Sequence, residues 1–219
     1  MEPEFWLERW RNRQIGFHRE SVNPLLQRYW ACLGVPSGSR VFVPLCGKSR
    51  DLHWLAEQGY RVTGIEISPI AVEEFFAEAG LQARVKQGDL PCWRAGAIEI
   101  LCGDFFDLLP REFPDVAAVY DRAALIAMPP GLRERYARHL LRLMPPGARM
   151  LLVTLEYPRD AMEGPPFPVP GTEVQALFGE QCAIQELARE DALGTNAKFR
   201  ERGLDRLEEV VWRLERRSG

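Results

Sequence analysis

Arg40-Val41-Phe42-Val43-Pro44-Leu45-Cys46-Gly47-Lys48-Ser49-Arg50-Asp51 decides the fold. Val41, Phe42 and Val43 are residues enriched in strands. Pro44 and Gly47 turn the chain. Asp51 then opens a segment whose apolar residues Leu52, Leu55 and Ala56 have helical spacing, and Gly59 stops it. A second apolar run follows from Val62 to Ile67, with Glu66 near its end. Strand, glycine turn, helix, strand and acid together outline a βαβ nucleotide-binding unit. In such a unit the ligand lies at the carboxyl ends of the strands, and the acid after the second strand accepts hydrogen bonds from ribose hydroxyls.

Outward from this unit the pattern alternates. Toward the N-terminus, Phe5 to Gln14 reads as an amphipathic helix, broken at Ile15-Gly16-Phe17-His18. Asn23-Pro24 opens a second helix through Leu33, and Gly34 ends it. Toward the C-terminus, Ser68 is a cap and Pro69 a first-turn residue for a helix that runs to Gly80. Strands are predicted at Ala83 to Gln87, Ile98 to Cys102, Val116 to Tyr120 and Met150 to Leu155, with Gly88 to Ala97 as loop. Helices are predicted at Ala123 to Met128, Leu132 to Met144 and Glu173 to Phe178, with a Pro/Gly-rich loop from Pro158 to Pro170. Two strands finish the chain, near Cys182 to Leu187 and Glu208 to Leu214, joined by a polar linker from Ala192 to Gly203. Val210, Trp212 and Leu214 alternate with Val211, Arg213 and Glu215, which suits an antiparallel strand near one edge. The predicted fold is α/β, with a mostly parallel sheet and flanking helices. One domain over residues 1–219 is expected, with residues 1–35 as a helical cover.

Composition narrows the function. The chain has 219 residues, 46% hydrophobic and 27% charged, as in a soluble globular protein. A net charge of -3 gives no reason to expect a nucleic-acid partner. Five cysteines without a CxxC pair and three scattered histidines leave no zinc spacing. No metal is expected. Neither a signal-peptide pattern nor a bilayer-length apolar run is visible, so a cytoplasmic protein without a membrane partner is expected.

The site residues point to one ligand class. G-x-G-x-x-G is missing, and Pro44-Leu45-Cys46-Gly47 with its single glycine stands in its place. A pyrophosphate needs several backbone N–H groups brought close. A nucleoside without phosphate does not, and S-adenosylmethionine is such a ligand.

At this point the chain resembles the bacterial thiopurine S-methyltransferases. The resemblance is carried by Trp10 with Phe17-His18, Val41 to Lys48 and Gly64-Ile65-Glu66-Ile67-Ser68. It continues through Glu74-Phe75-Phe76, Phe106-Asp107-Leu108, Asp121-Arg122-Ala123-Ala124-Leu125 and Gly164-Pro165-Pro166-Phe167. It implies the Rossmann-like seven-stranded class I methyltransferase fold, with a mostly parallel sheet and an antiparallel C-terminal strand. It also implies S-adenosylmethionine as methyl donor and a thiol sulfur as acceptor. The resemblance places Trp10, Leu45, Glu66, Asp104, Phe105 and Arg122 at the donor. It places Phe17, Pro165, Pro166, Phe167 and Arg200 at the acceptor, with Arg202 as an alternative to Arg200.

Each assignment has a competitor. Trp10 can favour a sulfonium through its ring face, or be a core aromatic. Leu45 can meet the donor through its backbone, or be a core leucine. Asp104 and Phe105 can border adenine, or be a helix cap and a core ring. His18 is more often structural than a base. Arg122 can pair with a carboxylate or favour a thiolate but cannot act as a base; its competing role is an ion pair with Asp121 or Asp115. Pro165, Pro166 and Phe167 form an apolar wall or a plain surface loop.

A small-molecule thiol, acted on by a monomer, is the expected partner. Selenium or tellurium compounds are an alternative acceptor class. A nicotinamide-dependent oxidoreductase and a non-catalytic adenosine-ligand binding module are alternatives of another class.

Overall fold

The computed structural model describes residues 3–194 and 197–218, apart from the side chains at 197 and 198. The elements, in chain order, are α1 (Pro3–Arg11), α2 (Pro24–Tyr29), β1 (Arg40–Val43), α3 (Asp51–Glu57), β2 (Arg61–Glu66) and α4 (Pro69–Glu78). A hairpin follows, β3 (Arg84–Lys86) and β4 (Cys92–Ala95), then β5 (Ile98–Cys102), β6 (Val116–Asp121), α5 (Ala124–Ala127) and α6 (Pro130–Leu143). The chain ends with β7 (Arg149–Glu156), α7 (Gly171–Phe178), β8 (Cys182–Asp191), α8 (Ala197–Glu201) and β9 (Glu208–Arg216).

One sheet joins the nine strands in the order β3-β4-β5-β2-β1-β6-β7-β9-β8. From β5 to β7 the neighbours are parallel. β9 runs antiparallel to both β7 and β8. The seven strands from β5 to β8 form the expected mostly parallel arrangement, with β9 just inside one edge. The strand order reverses between β1 and β6, and the carboxyl ends of β1, β2 and β6 open on that crevice.

Strand alternation explains why both faces are covered. Val41, Val43, Val62, Ile98, Leu151 and Val153 pack on one side, with Leu25, Leu26, Trp30, Leu52, Leu55, Val72 and Phe75 from the helical layer. Phe42, Ile65, Val119, Met150, Leu152 and Trp212 pack on the other, against Leu125, Tyr136, Leu140, Val174 and Phe178.

Local rules hold at the helix starts. Ser68 Oγ accepts from Ala71 N and Pro69 takes the first position of α4. Asn23 Oδ1 accepts from Leu25 N ahead of Pro24. A short 3-10 turn, Trp30–Leu33, extends α2 to Gly34.

Two expectations are corrected. Gly88 to Ala97 is not all loop, because Cys92–Ala95 pairs antiparallel with both β5 and β3. Trp93 gives this strand an anchor by stacking on Phe76. Ala192 to Gly203 is not all linker, because α8 lies within it; residues 195 and 196 fall outside the described residues. The first helix also ends at Arg11, short of Gln14. No helix among the described residues is long and apolar enough to cross a membrane.

Candidate active site

The site begins with the turn after β1. Leu45 has φ +49° and Gly47 φ +54°. A left-handed leucine costs about 1–2 kcal/mol relative to a right-handed one, so packing must hold it there. Cys46 N donates to Ile65 O at 2.9 Å, tying the turn to β2. Gly64 makes room for this contact: a Cβ there would lie 2.7 Å from Cys46 Sγ. Lys48, at the far side of the turn, is 8% exposed and pairs with Glu74 at 2.8 Å and Glu78 at 2.5 Å on α4.

Glu66 lies at the end of β2 against this turn. It is 5% exposed. Its Oε2 accepts from Gly47 N at 2.9 Å and its Oε1 from Ser68 N at 2.8 Å. Burial pushes its pKa up to about 7, against the lowering effect of those backbone donors. A carboxylate has roughly four acceptor sites. The two bonds leave each oxygen with further capacity, which suits a pair of vicinal hydroxyls. The residues therefore fit a ribose-bearing donor.

Trp10 closes the N-terminal side. It is buried, and its ring lies over Gly47, where a Cβ would come within 3.4 Å of it. Phe17 packs edge-on against Trp10 at 5.6 Å and Trp6 at 5.5 Å while 40% of its surface stays exposed. Beside it, burial lowers the His18 pKa, helped by Lys48.

On the β5 side, Gly103 N donates to Glu66 O. Asp104 Oδ1 then accepts from Phe106 N, capping the short 3-10 turn Phe105–Asp107. Phe105 is buried against Phe42, Tyr136 and His139. Phe106 is the half-buried ring of the pair, with the Arg135 guanidinium 3.9 Å above it.

Arg122 follows β6, across the crevice. Its Nε lies 4.0 Å from Asp51 Oδ2, and its side chain is 17% exposed. Neither of the expected ion-pair partners is its partner. Asp115 pairs with Arg40 and Arg61. Asp121 accepts from Ala124 N, Leu125 N and Tyr136 Oη, and burial lifts its pKa to about 6. Nothing in the local spacing of Asp51 distinguishes it from an ordinary helix-opening acid. Its buried position appears only once the chain folds and Tyr120 of β6 reaches it.

The Gly164 to Phe167 loop is fastened at several points. Phe167 N donates to Ile126 O at 2.7 Å and Tyr157 Oη to Pro166 O at 2.5 Å. Arg202 donates to Glu163 O at 2.6 Å. Arg200 instead donates to Leu193 O and Gly194 O within its own segment. Of the two arginines, Arg202 is the one that bonds to the backbone next to this loop. Phe167 also lines an open cleft of ≈ 420 Å³ with Pro130, Arg133, Arg159 and Met162.

Seven strands in the order β5-β2-β1-β6-β7-β9-β8, with β9 antiparallel between its neighbours and a buried acid at the end of β2, have the class I methyltransferase arrangement. Solved structures of that class superpose on this fold. A methyltransferase from Anabaena variabilis described as SAM-dependent matches with a TM-score of 0.66 at 14% identity, over 98% of this chain and 95% of that one. The 1,6-didemethyltoxoflavin-N1-methyltransferase of Burkholderia thailandensis, crystallised with S-adenosylhomocysteine, matches with a TM-score of 0.64 at 15% identity, over 99% and 87%.

Sequence relatives narrow the class further. The thiopurine S-methyltransferase family model matches residues 1–217. The thiopurine S-methyltransferase of Nitrosospira multiformis is 51% identical over 219 residues, covering 100% of each chain. That of Pseudomonas fluorescens is 51% identical over 215 residues, covering 98% of this chain and 99% of its own. The chain belongs to the thiopurine S-methyltransferase family.

Proposed function

We propose that this chain methylates the sulfur of aromatic or heterocyclic thiols, thiopurines among them. When bound, S-adenosylmethionine supplies the methyl group on a sulfonium centre. The observation that carries the reading is the buried Glu66 carboxylate, bonded to the backbone of the Pro44–Gly47 turn. Its free acceptor capacity suits ribose hydroxyls. Trp10, over Gly47, offers a ring face that favours a cation and excludes water. The turn at Leu45 and the Asp104–Phe106 segment flank the donor, with Phe106 alongside Phe105 as the adenine-side ring.

Arg122 faces the crevice from β6 and holds the thiolate or the donor carboxylate as a fixed cation. Phe17, Pro165, Pro166 and Phe167 wall the acceptor, and Arg202 or Arg200 bounds its outer side. With the donor held by Glu66, Trp10 and the Leu45 turn, its methyl group would pass from the sulfonium to the thiolate sulfur held by Arg122, the electron pair of the broken carbon–sulfur bond staying on the donor sulfur. Positive and negative charge vanish together, so the protein's contribution is alignment and exclusion of water. A heteroaromatic thiol is already acidic, so no general base is assigned.

Residues 1–35 act as a cover over a single catalytic domain. The chain works as a cytoplasmic monomer on small molecules, in keeping with its net charge of -3. The test is transfer of label from methyl-labelled S-adenosylmethionine to 6-mercaptopurine. The expected result is S-methylated product from the wild type and a loss of at least about 100-fold in Arg122→Ala. Equal turnover by the two proteins would remove Arg122 from the chemistry. Absence of product across a panel of aromatic thiols would overturn the reading.

A further inference from the structure

The assignment of Arg122 leaves open what holds its flexible side chain. The described contacts give it one acidic neighbour, and that neighbour is buried. Asp51 is 1% exposed and opens α3, four residues after Gly47 of the donor-side turn. Its Oδ1 accepts from Asn23 N at 2.8 Å. Its Oδ2 accepts from Tyr120 Oη at 3.0 Å and lies 4.0 Å from Arg122 Nε. Tyr120 itself is buried at the end of β6, two residues before Arg122. Burial and the neighbouring Asp51 charge raise its pKa well above the ordinary value, so it stays a donor.

Each partner belongs to a different part of the site. Asn23 is the N-cap of α2, so its backbone marks where the N-terminal segment is pinned to α3. Tyr120 stands on β6 and Arg122 directly after it, on the side read as the acceptor's. Asp51 lies on the helix that the donor-side turn leads into. A carboxylate this deep costs several kcal/mol to desolvate unless it is paired and hydrogen-bonded. Here one oxygen is committed to the cover and the other to the arginine strand. Helix capping alone would not require the second oxygen to face Tyr120 and Arg122.

We propose that Asp51 is the positioning residue for Arg122, holding its guanidinium in the crevice while fastening the N-terminal cover through Asn23. The proposal rests on the thiol methyltransferase reading for its kinetic consequence, but not for the contact itself.

The test is a double-mutant cycle. Asp51→Asn is nearly isosteric and keeps an oxygen for Asn23 N, so the fold is retained while the charge facing Arg122 is removed. The expected result is a fall of about tenfold in kcat/KM for 6-mercaptopurine in the wild-type background. On an Arg122→Ala background the same change moves kcat/KM less than about twofold. A fall of equal size on both backgrounds would mean that Asp51 is merely structural.

The Nε–H resonance of Arg122 supplies a readout that needs no turnover. It is assigned by its disappearance in Arg122→Ala. It is expected to shift or to exchange faster in Asp51→Asn, and in the same sense by less in Tyr120→Phe. An unmoved resonance in Asp51→Asn would overturn the proposal. If the wild type methylates no thiol, the functional reading fails on its own, and this resonance still decides whether Asp51 holds Arg122.

Discussion

Glu66 is a carboxylate that the folded chain holds in an environment unfavourable to its charge. With a folded pKa raised from 4.5 to about 7, its contribution to stability is full below 4.5 and is lost as pH rises through 7. The rise from 4.5 to about 7 corresponds to about 3 kcal/mol across that window. Donor binding has the opposite sign, because ribose hydroxyls are better received by the ionised form. Affinity for S-adenosylmethionine should therefore weaken several-fold between pH 8 and pH 6, measured by calorimetry. In Glu66→Gln that pH dependence should vanish, and the slope of unfolding free energy between pH 5 and 7.5 should flatten. An unchanged slope in the variant would assign the titration to another group, with Asp121 the first to examine.

Residue-scale legibility was uneven for a physical reason. Glu66 and the Pro44–Gly47 turn are close in sequence, so spacing alone brought them together. Arg122 was identifiable at its strand end, whereas its partner was not. Asp51 stands 71 positions away and meets it only because the strand order reverses between β1 and β6.

At the scale of elements, the turn after β1 depends on what is missing from β2. Gly64→Ala places a methyl group 2.7 Å from Cys46 Sγ and 3.2 Å from Leu52. It should cost about 2 kcal/mol of stability in denaturant unfolding, the range of overpacking in a tight core. Cys46→Ala removes the nearer obstacle, so the double variant should lose less than the sum of the singles. Strict additivity would show that the turn and β2 do not share this contact.

The helices carry a second such dependence. Arg133 on α6 is fully buried, with two bonds to Glu173 of α7 at 2.7 and 2.8 Å and one to Met128 O. Glu173→Ala leaves that cation uncompensated and should lower stability by about 3 kcal/mol. A thermal midpoint unchanged within a degree would show that Arg133 has found another acceptor. Helix starts such as Ser68-Pro69 and Asn23-Pro24 were legible because caps are local. β4 was not, since Cys92–Ala95 has only four residues and its stability comes from pairing on both edges. α8 is polar and short, with no apolar period to reveal it.

On the scale of the molecule, the sheet order brings the candidate site residues to one crevice. The turn after β1, Glu66 at the end of β2 and Arg122 just after β6 lie at the ends of three adjacent strands, β2-β1-β6, although Arg122 is far along the chain from the other two. Alternation of strands and helices foretold a mostly parallel sheet, and the alternating apolar residues of the last strand foretold its antiparallel direction. The N-terminal segment was legible as two helices. Its fastening was not, because the contacts that secure it, Arg13 with Glu74 and Asn23 with Asp51, reach across 61 and 28 positions.

The Pro44–Gly47 turn and Glu66 are proposed to hold the methyl donor together. The most direct measurement is a calorimetric titration of S-adenosylmethionine into the wild type and into Glu66→Ala at pH 8. Saturable one-to-one binding by the wild type and at least about tenfold weaker binding by the variant are expected. No binding by the wild type, or equal affinity in both proteins, would contradict that proposal.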